Sequence, residues 1–275
     1  MSGRLSILVL GYGDYPALLE RCLGSIRNAL QYAPLERVAD VRLALNAPSD
    51  VMLSRGRALL QELPVPALLY LPVPATRNAL KYPMMRKMLY DPRHPIPELV
   101  MWFDDDSYLD AAVDAGWWKR IFELADGHDI IGQRWYAPVR GDMLRWVKDQ
   151  PWYNPEVPPT VRYRDYDCFP FFQGAWWVVR RELVLRLDWP FPELRHNGGD
   201  VMFGEACRHI GARMCHFDEG VHINSGEDGG RSTSRRRGVS EVALGVIYAG
   251  KPDVSAYHDF EIAVEEWPCA KMEVR

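Results

Sequence analysis

An apolar run that ends in three consecutive carboxylates, Val100-Met101-Trp102-Phe103-Asp104-Asp105-Asp106, constrains this chain more than any other stretch of it. Four apolar residues in a row read as a strand buried on both faces, the pattern of a parallel sheet covered by helices. Adjacent carboxylates repel, and ionised groups at the end of a core strand are costly to desolvate. A hard divalent cation, Mg²⁺ or Mn²⁺, supplies the missing positive charge because both ions prefer carboxylate oxygen. Such an ion takes one or two protein carboxylates and shares its other positions with water and substrate phosphates. A bare acidic triplet is more often a solvated turn. The apolar lead-in and the neighbouring motifs argue instead for a strand end that grips a phosphorylated ligand.

The stretches before the triplet give its setting. Residues 5–10 form another apolar run, closed by Gly11-Tyr12-Gly13-Asp14. Pro16 suits the first turn of a helix, and Leu18, Leu19, Cys22, Leu23 and Ile26 then recur at helical spacing. A strand over 38–45, a helix over 51–63 and a short strand over 67–71 follow. Strands alternating with helices predict an α/β chain with a mostly parallel sheet flanked by helices. Ligands of such sheets sit beyond the carboxyl ends of the strands. The loops 11–14, 46–50 and 104–106 share that edge. Further on, the pattern predicts a helix over 111–125, strands over 129–132 and 171–179, and a helix from 181 to 187. A last helix over 203–210 is closed by Gly211. Residues 135–170, rich in Pro, Trp, Tyr and Arg, read as one irregular segment, of the kind that is usually functional.

Composition excludes some classes. A net charge of −4 gives no global basic field for bulk nucleic-acid binding. The five cysteines are scattered, without a CxxC pair, which fits reduced thiols and no zinc site. No apolar stretch approaches the roughly 20 residues that span a bilayer. A cytoplasmic enzyme is the expectation. Ten Trp and thirteen Tyr are a number common where sugars or bases stack, although core packing absorbs many of them.

Four further clusters carry chemistry. Lys81, Arg86 and Lys87 place cations where a diphosphate needs neutralising; an ordinary solvated helix face is the plainer reading. In Gln173-Gly174-Ala175-Trp176-Trp177, Gly174 removes bulk where a backbone approaches a ligand, and Trp176 offers a stacking surface. Asp200 follows a Gly-Gly turn at a helix start, as an N-cap or as a general base for an acceptor hydroxyl. His222, between apolar residues, is a core histidine or a nitrogen ligand to the same metal. Four arginines within Arg231–Arg237 form a basic loop that could close over a diphosphate.

The order of these motifs resembles glycosyltransferases of the GT-A fold, and the opening of the chain resembles the family 2 nucleotide-sugar-dependent enzymes. The matching pieces are Asp104-Asp105-Asp106 for the DxD motif, Gln173-Gly174-Ala175-Trp176 for the acceptor segment, Gly199-Asp200-Val201 for the catalytic motif, and His222. The resemblance covers residues 5–230. It implies one GT-A-like (Rossmann-like) domain over residues 1–275. Its nucleotide-sugar-binding half would be 1–110, with an irregular acceptor and catalytic half over 111–238 and a tail over 239–275. It also implies a nucleotide-diphospho-sugar donor, Mn²⁺ or Mg²⁺, and inverting transfer of a hexose or pentose to a hydroxyl acceptor. That acceptor would be a glycan, a small metabolite or, less favoured by the net charge, a modified nucleic-acid base. Asp106 would be the principal metal ligand, with Asp104 and His222. Tyr12, Asn46, Lys81, Asp104 and Asp105 would line the donor site, and Gln173, Gly174 and Trp176 the acceptor site. Asp200 would be the base. Family 2 enzymes usually carry a Glu-Asp pair where this chain has Gly199-Asp200, and Arg208 is the only cation near their following basic motif.

Two rivals stand. A sugar nucleotidyltransferase normally has a basic residue in the Gly-rich loop after its first strand, which Gly11-Tyr12-Gly13-Asp14 lacks. A non-catalytic carbohydrate-binding protein would use the Trp-rich surface but has no need of Asp104–Asp106 together with Asp200.

Overall fold

A computed structural model describes residues 3–139, 141–191, 194, 199–223 and 259–269. The apolar runs become four adjacent parallel strands: β1 (Leu5–Tyr12), β2 (Val38–Asn46), β3 (Ala67–Pro72) and β4 (Leu99–Asp104), in the order β3-β2-β1-β4. Every residue of β1, β3 and β4 is buried, because helices cover both faces. Alternate side chains along a strand point to opposite faces. Thus Leu8, Leu10, Val100 and Trp102 enter one core, while Ile7, Val9, Met101 and Phe103 enter the other. The helices α1 (Pro16–Leu30), α2 (Asp50–Gln61) and α4 (Ala115–Gly127) close the Phe103 side. On the Trp102 side lie α3 (Lys81–Leu89), α5 (Gly141–Lys148), α6 (Arg181–Leu187) and α7 (Gly199–His209).

The second half of the sheet is largely antiparallel. Next to β4 lie β8 (Tyr166–Arg180), β6 (Ile130–Pro138) and β9 (Met214–His216), with β7 (Val161–Tyr163) folded along the start of β8. At the opposite edge β11 (Ile262–Trp267) pairs with β3. A small separate sheet joins β5 (Tyr108–Leu109) to β10 (Val221–His222). The result is a mixed, mostly parallel central sheet between two helical layers.

Register explains how β8 reaches the functional edge. Phe103 lies opposite Trp176, so the part of β8 before Trp176 runs past the carboxyl end of β4. The β6–β8 ladder also slips: Gly132 faces Trp177, but Arg134 faces Phe172. Residues 173–176 therefore bulge out of the ladder, and bulges re-aim the chain beside functional sites.

Several expectations change. Residues 135–170 are less irregular than their composition suggests, since they hold the end of β6, the helix α5 and the hairpin strand β7. The helix expected over 203–210 starts at Gly199, which draws Asp200 into its first turn. The tail supplies the edge strand β11. The basic loop Arg231–Arg237 lies outside the described residues. Among the described residues, no helix is long and apolar enough to cross a membrane.

Most tryptophans serve packing. Trp102, Trp118, Trp176, Trp177 and Trp189 are buried. A continuous aromatic path runs from Trp102 to Trp177, Phe203, Trp189 and Tyr82, with centroid separations of 5.8, 6.0, 4.3 and 5.5 Å. It ties β4 and β8 to the first turns of α3 and α7, where the charged residues of the site sit.

Candidate active site

β4 ends on Asp104, and both oxygens of its carboxylate are engaged. The Trp102 indole, two residues back and so on the same face, donates to Oδ1 over 3.0 Å. Lys81 Nζ lies 2.7 Å from Oδ2 and also donates to the Gly174 carbonyl over 2.9 Å. Lys81 opens α3, and both it and Asp104 are largely buried. A buried ion pair offsets its desolvation only when further hydrogen bonds complete it. The indole and the Gly174 carbonyl do that here.

The second carboxylate comes from α7. Asp200 Oδ1 accepts from the Val201 N–H over 3.0 Å, and the Gly174 N–H also bonds its carboxylate. A Cβ on Gly174 would stand 3.2 Å from the Asp200 Cβ and 3.3 Å from Oδ2, so the bulge presses directly on this group. Burial, the largest influence, pushes the Asp200 carboxyl above the ordinary aspartate range. The Lys81 charge, then the N–H groups of Val201 and Gly174, pull it back. Lys81 thus acts electrostatically on both carboxylates.

The departure at Gly199 has a steric cause. A Cβ there would come within 2.3 Å of the Tyr82 ring, so no side chain fits before Asp200. Gly199→Ala should cost about 1–3 kcal/mol, the range for overpacking a filled core. Denaturant titration checks this. Because the clash is with one ring, adding Tyr82→Ala should cost less than the sum of the two single changes. Strict additivity would place the strain elsewhere.

Asn46 and Asn78 set the chain that leads into Lys81. Asn46, fully buried at the end of β2, accepts from the Ala79 N–H over 2.7 Å and donates to Asn78 Oδ1 over 2.8 Å. Asn78 Oδ1 also accepts from the Leu80 N–H over 3.1 Å. Leu80 itself has φ 65° and ψ 171°, a conformation costing of order 1–3 kcal/mol outside glycine. Both ends of the Asn46 amide thus hydrogen-bond within the protein and hold this turn. Sequence reading assigned Asn78 and Trp102 no role. An Asx turn just before a helix start, and an indole two residues before an aspartate on one strand, were the signals present.

The other expected residues divide. Asp105 points inward: it is fully buried and accepts from the Tyr12 N–H over 3.2 Å. The Tyr12 ring belongs to the core rather than to an open pocket wall. Asp106 follows at the strand end, 4% exposed. Gln173, half-buried, accepts from the Ala175 N–H over 3.2 Å and belongs to the bulge. Trp176 does not offer a stacking face: it is 0% exposed, beside Phe217, because this sheet is covered on both sides. His222 faces Tyr108 across the small sheet and stacks on it at 4.6 Å. Its Nε2 lies 2.7 Å from Asp110 Oδ2, so its present partner is Asp110.

Three cations leave the diphosphate role expected of them or of their motif. Arg86 binds Asp188 and the Pro190 carbonyl, and Lys87 sits over the Phe260 ring. Arg208 forms a bidentate pair with buried Glu205.

Among the described residues, no three His, Cys, Asp or Glu side chains converge as a metal cage. The oxygen donors that are present, Asp104 and Asp106 at one strand end, suit a hard ion. Such an ion takes one or two carboxylates and completes its sphere with phosphate and water.

No family model and no curated protein sequence matches the chain. Solved structures do. A mannosyltransferase from Pyrobaculum calidifontis, in complex with GDP-Man and Mn²⁺, superposes at a TM-score of 0.50 with 18% identity. The match covers 80% of this chain and 56% of that one, so the chain spans little more than half of that relative's length. Core-mannan synthase A from Aspergillus fumigatus, in its Mn/GDP form, also gives 0.50, with 9% identity over 80% of this chain and 74% of that one. These likenesses concern the fold, and the fold is that of the GT-A-type α/β enzymes.

Proposed function

We propose that this chain transfers a sugar from a nucleotide-diphospho-sugar to a hydroxyl acceptor, with inversion at the anomeric carbon. The observation that carries this reading is the meeting of Lys81, Asp104 and Asp200 at Gly174, at the carboxyl edge of the parallel strands. That edge is where doubly wound sheets bind ligands. The two structures of like fold contain GDP-Man or GDP with manganese, which agrees with this assignment.

Lys81 would shift part of its charge from Asp104 to an entering diphosphate. Asp106 and Asp104 would hold Mn²⁺ or Mg²⁺, and His222 would join only by leaving Asp110. When bound, the ion supplies neutralisation of charge on the departing diphosphate. Asp200 takes the acceptor hydroxyl proton as that oxygen bonds the anomeric carbon and the bond from carbon to the diphosphate oxygen breaks. A carboxyl raised above the ordinary range is a stronger base once ionised, which suits this task.

Titration calorimetry with a panel of nucleotide sugars, with and without Mn²⁺, tests the reading. The expected result is binding that requires both the diphosphate and the metal, and that Asp106→Ala abolishes. Binding of free sugar alone would identify a carbohydrate-binding protein, and preference for a nucleoside triphosphate a nucleotidyltransferase.

A further inference from the structure

The edge strand β11 returns from the far end of the sequence to the element that carries Lys81. Its ladder with β3 begins at Ile262 opposite Pro72, and the Val73 N–H extends it by donating to the Glu261 carbonyl over 3.0 Å. Ile262 and Val264, with Phe260 just before them, pack into the core that also holds Met84, Met85 and Met88 of α3. Phe260 is 7% exposed.

The Phe260 ring carries two cations. The Arg77 guanidinium lies 5.1 Å from its centroid and the Lys87 ammonium 4.8 Å. A cation within about 6 Å of a ring centroid is attracted by the ring quadrupole. Among the described residues no carboxylate pairs with either side chain, so the ring is the partner they share. One cation draped over a ring is ordinary for a long side chain with an apolar stem. Two, from either end of one segment, fasten that segment at both ends.

The fastened segment presents Lys81. Arg77 comes directly before Asn78, Ala79 and Leu80, and Leu80 takes φ 65° and ψ 171° before α3 opens at Lys81. Lys87 stands in the last turn of the same helix. A strained residue keeps its conformation only where its surroundings over-determine it. The amides of Asn46 and Asn78 hold the turn from within. Phe260 holds its two flanks. With the flanks released, Leu80 would relax and draw Lys81 Nζ away from the Asp104 carboxylate and the Gly174 carbonyl, now 2.7 and 2.9 Å from it.

We propose that Phe260 is a positioning residue for Lys81: its ring clamps Arg77 and Lys87, and so sets the lysine against Asp104 where a donor diphosphate enters. The inference rests on the proposed transfer reaction and adds to it a residue that acts on the donor site through α3.

Four variants test the clamp. Phe260→Leu keeps apolar burial without a π face, and Phe260→Tyr keeps the ring. Arg77→Gln with Lys87→Gln removes the cations instead, from half-buried positions, and decides the matter if Phe260→Leu does not fold. Phe122→Leu is the control, since that ring also carries a cation, Arg37 at 3.6 Å, but lies in the other core. Hydrogen exchange reads residues 77–87 without any ligand, and calorimetry with GDP, UDP and CDP in the presence of Mn²⁺ reads the donor site. Phe260→Leu and the Arg77/Lys87 double variant should speed exchange in 77–87 relative to β1 and β4. They should also weaken diphosphate affinity by up to roughly tenfold, two contacts of ~0.7 kcal/mol each making the 1.4 kcal/mol that is tenfold. Phe260→Tyr should behave as wild type in both measurements. Phe122→Leu should lower the thermal midpoint and change neither.

Exchange in 77–87 that keeps its wild-type rate in both clamp variants would overturn the proposal. So would diphosphate affinity that stays unchanged while the segment loosens, a Phe260→Tyr chain that behaves like Phe260→Leu, or a Phe122→Leu chain that loosens the segment equally. If wild type binds none of the diphosphates and the clamp variants still free the segment, the donor role of Lys81 falls and the clamp stands.

Discussion

Asp200→Asn should lower turnover at least roughly a hundredfold, the usual scale for loss of a general base, and leave nucleotide-sugar affinity unchanged. Asparagine keeps the shape and still offers an oxygen to the Val201 and Gly174 N–H groups, so α7 and the bulge stay in place. What it loses is the ability to take a proton. The pH profile separates this from a structural effect. Wild-type kcat/KM should fall as pH drops through the Asp200 pKa, which burial raises above the ordinary aspartate range, and the variant should lack that limb. Stability should move the other way. A folded-state pKa above the unfolded one means that ionised Asp200 opposes folding, so its contribution favours the fold in acid and is lost as pH rises through the folded pKa. The asparagine chain should therefore be the more stable one at neutral pH, with the gap closing in acid. Denaturant midpoints at several pH values measure it.

Lys81→Met should destabilise the chain by about 3–5 kcal/mol, the range for removing one member of a buried ion pair. The lysine and Asp104 keep only 9% and 12% side-chain exposure. Without the ammonium, Asp104 retains the Trp102 indole as one hydrogen-bond donor, and the Gly174 carbonyl loses its lysine donor. A surface pair would be worth at most ~1 kcal/mol, so the size of the loss tells the two cases apart. Neutralising both partners should restore much of the stability, because replacing a whole buried pair is often neutral. Lys81→Met with Asp104→Asn should thus fold better than Lys81→Met alone, yet bind no nucleotide-sugar. A double variant that binds donor normally would remove both residues from the donor site.

The parallel half of the fold was readable because its strands are continuous apolar runs, each closed by a polar loop. Residues 5–10 and 100–103 are short apolar runs bounded by polar loops, which suits strands covered on both faces. The same rule explains the failure at Trp176. Alternation sends Trp176 and Trp177 to opposite faces, but helices fill both sides of this sheet, so both are buried. Residues 135–170 hid α5 and β7 because Pro and Trp interrupt any period that would reveal them. Asp104, Lys81, Gly174 and Asp200 were each visible as residue types that carry chemistry. Their meeting was not, since it depends on a register slip at Gln133 and on a positive φ at Leu80, and neither leaves a compositional mark. The bracing role of the Asn46 amide left no mark either: a turn residue at a strand's carboxyl end can face a ligand or hold the next loop, and its partners Asn78 and Ala79 appear only in the fold.

The position of a bound diphosphate decides whether Lys81, Asp104 and Asp106 form a donor site. A crystal soaked with MnCl₂ and a nucleoside diphosphate, scanned at the manganese absorption edge, measures this directly. The predicted result is one anomalous peak against Asp106 at the end of β4, with the diphosphate between that peak and Lys81 Nζ. An ordered nucleotide bound elsewhere, or a manganese peak away from Asp104 and Asp106, would contradict it.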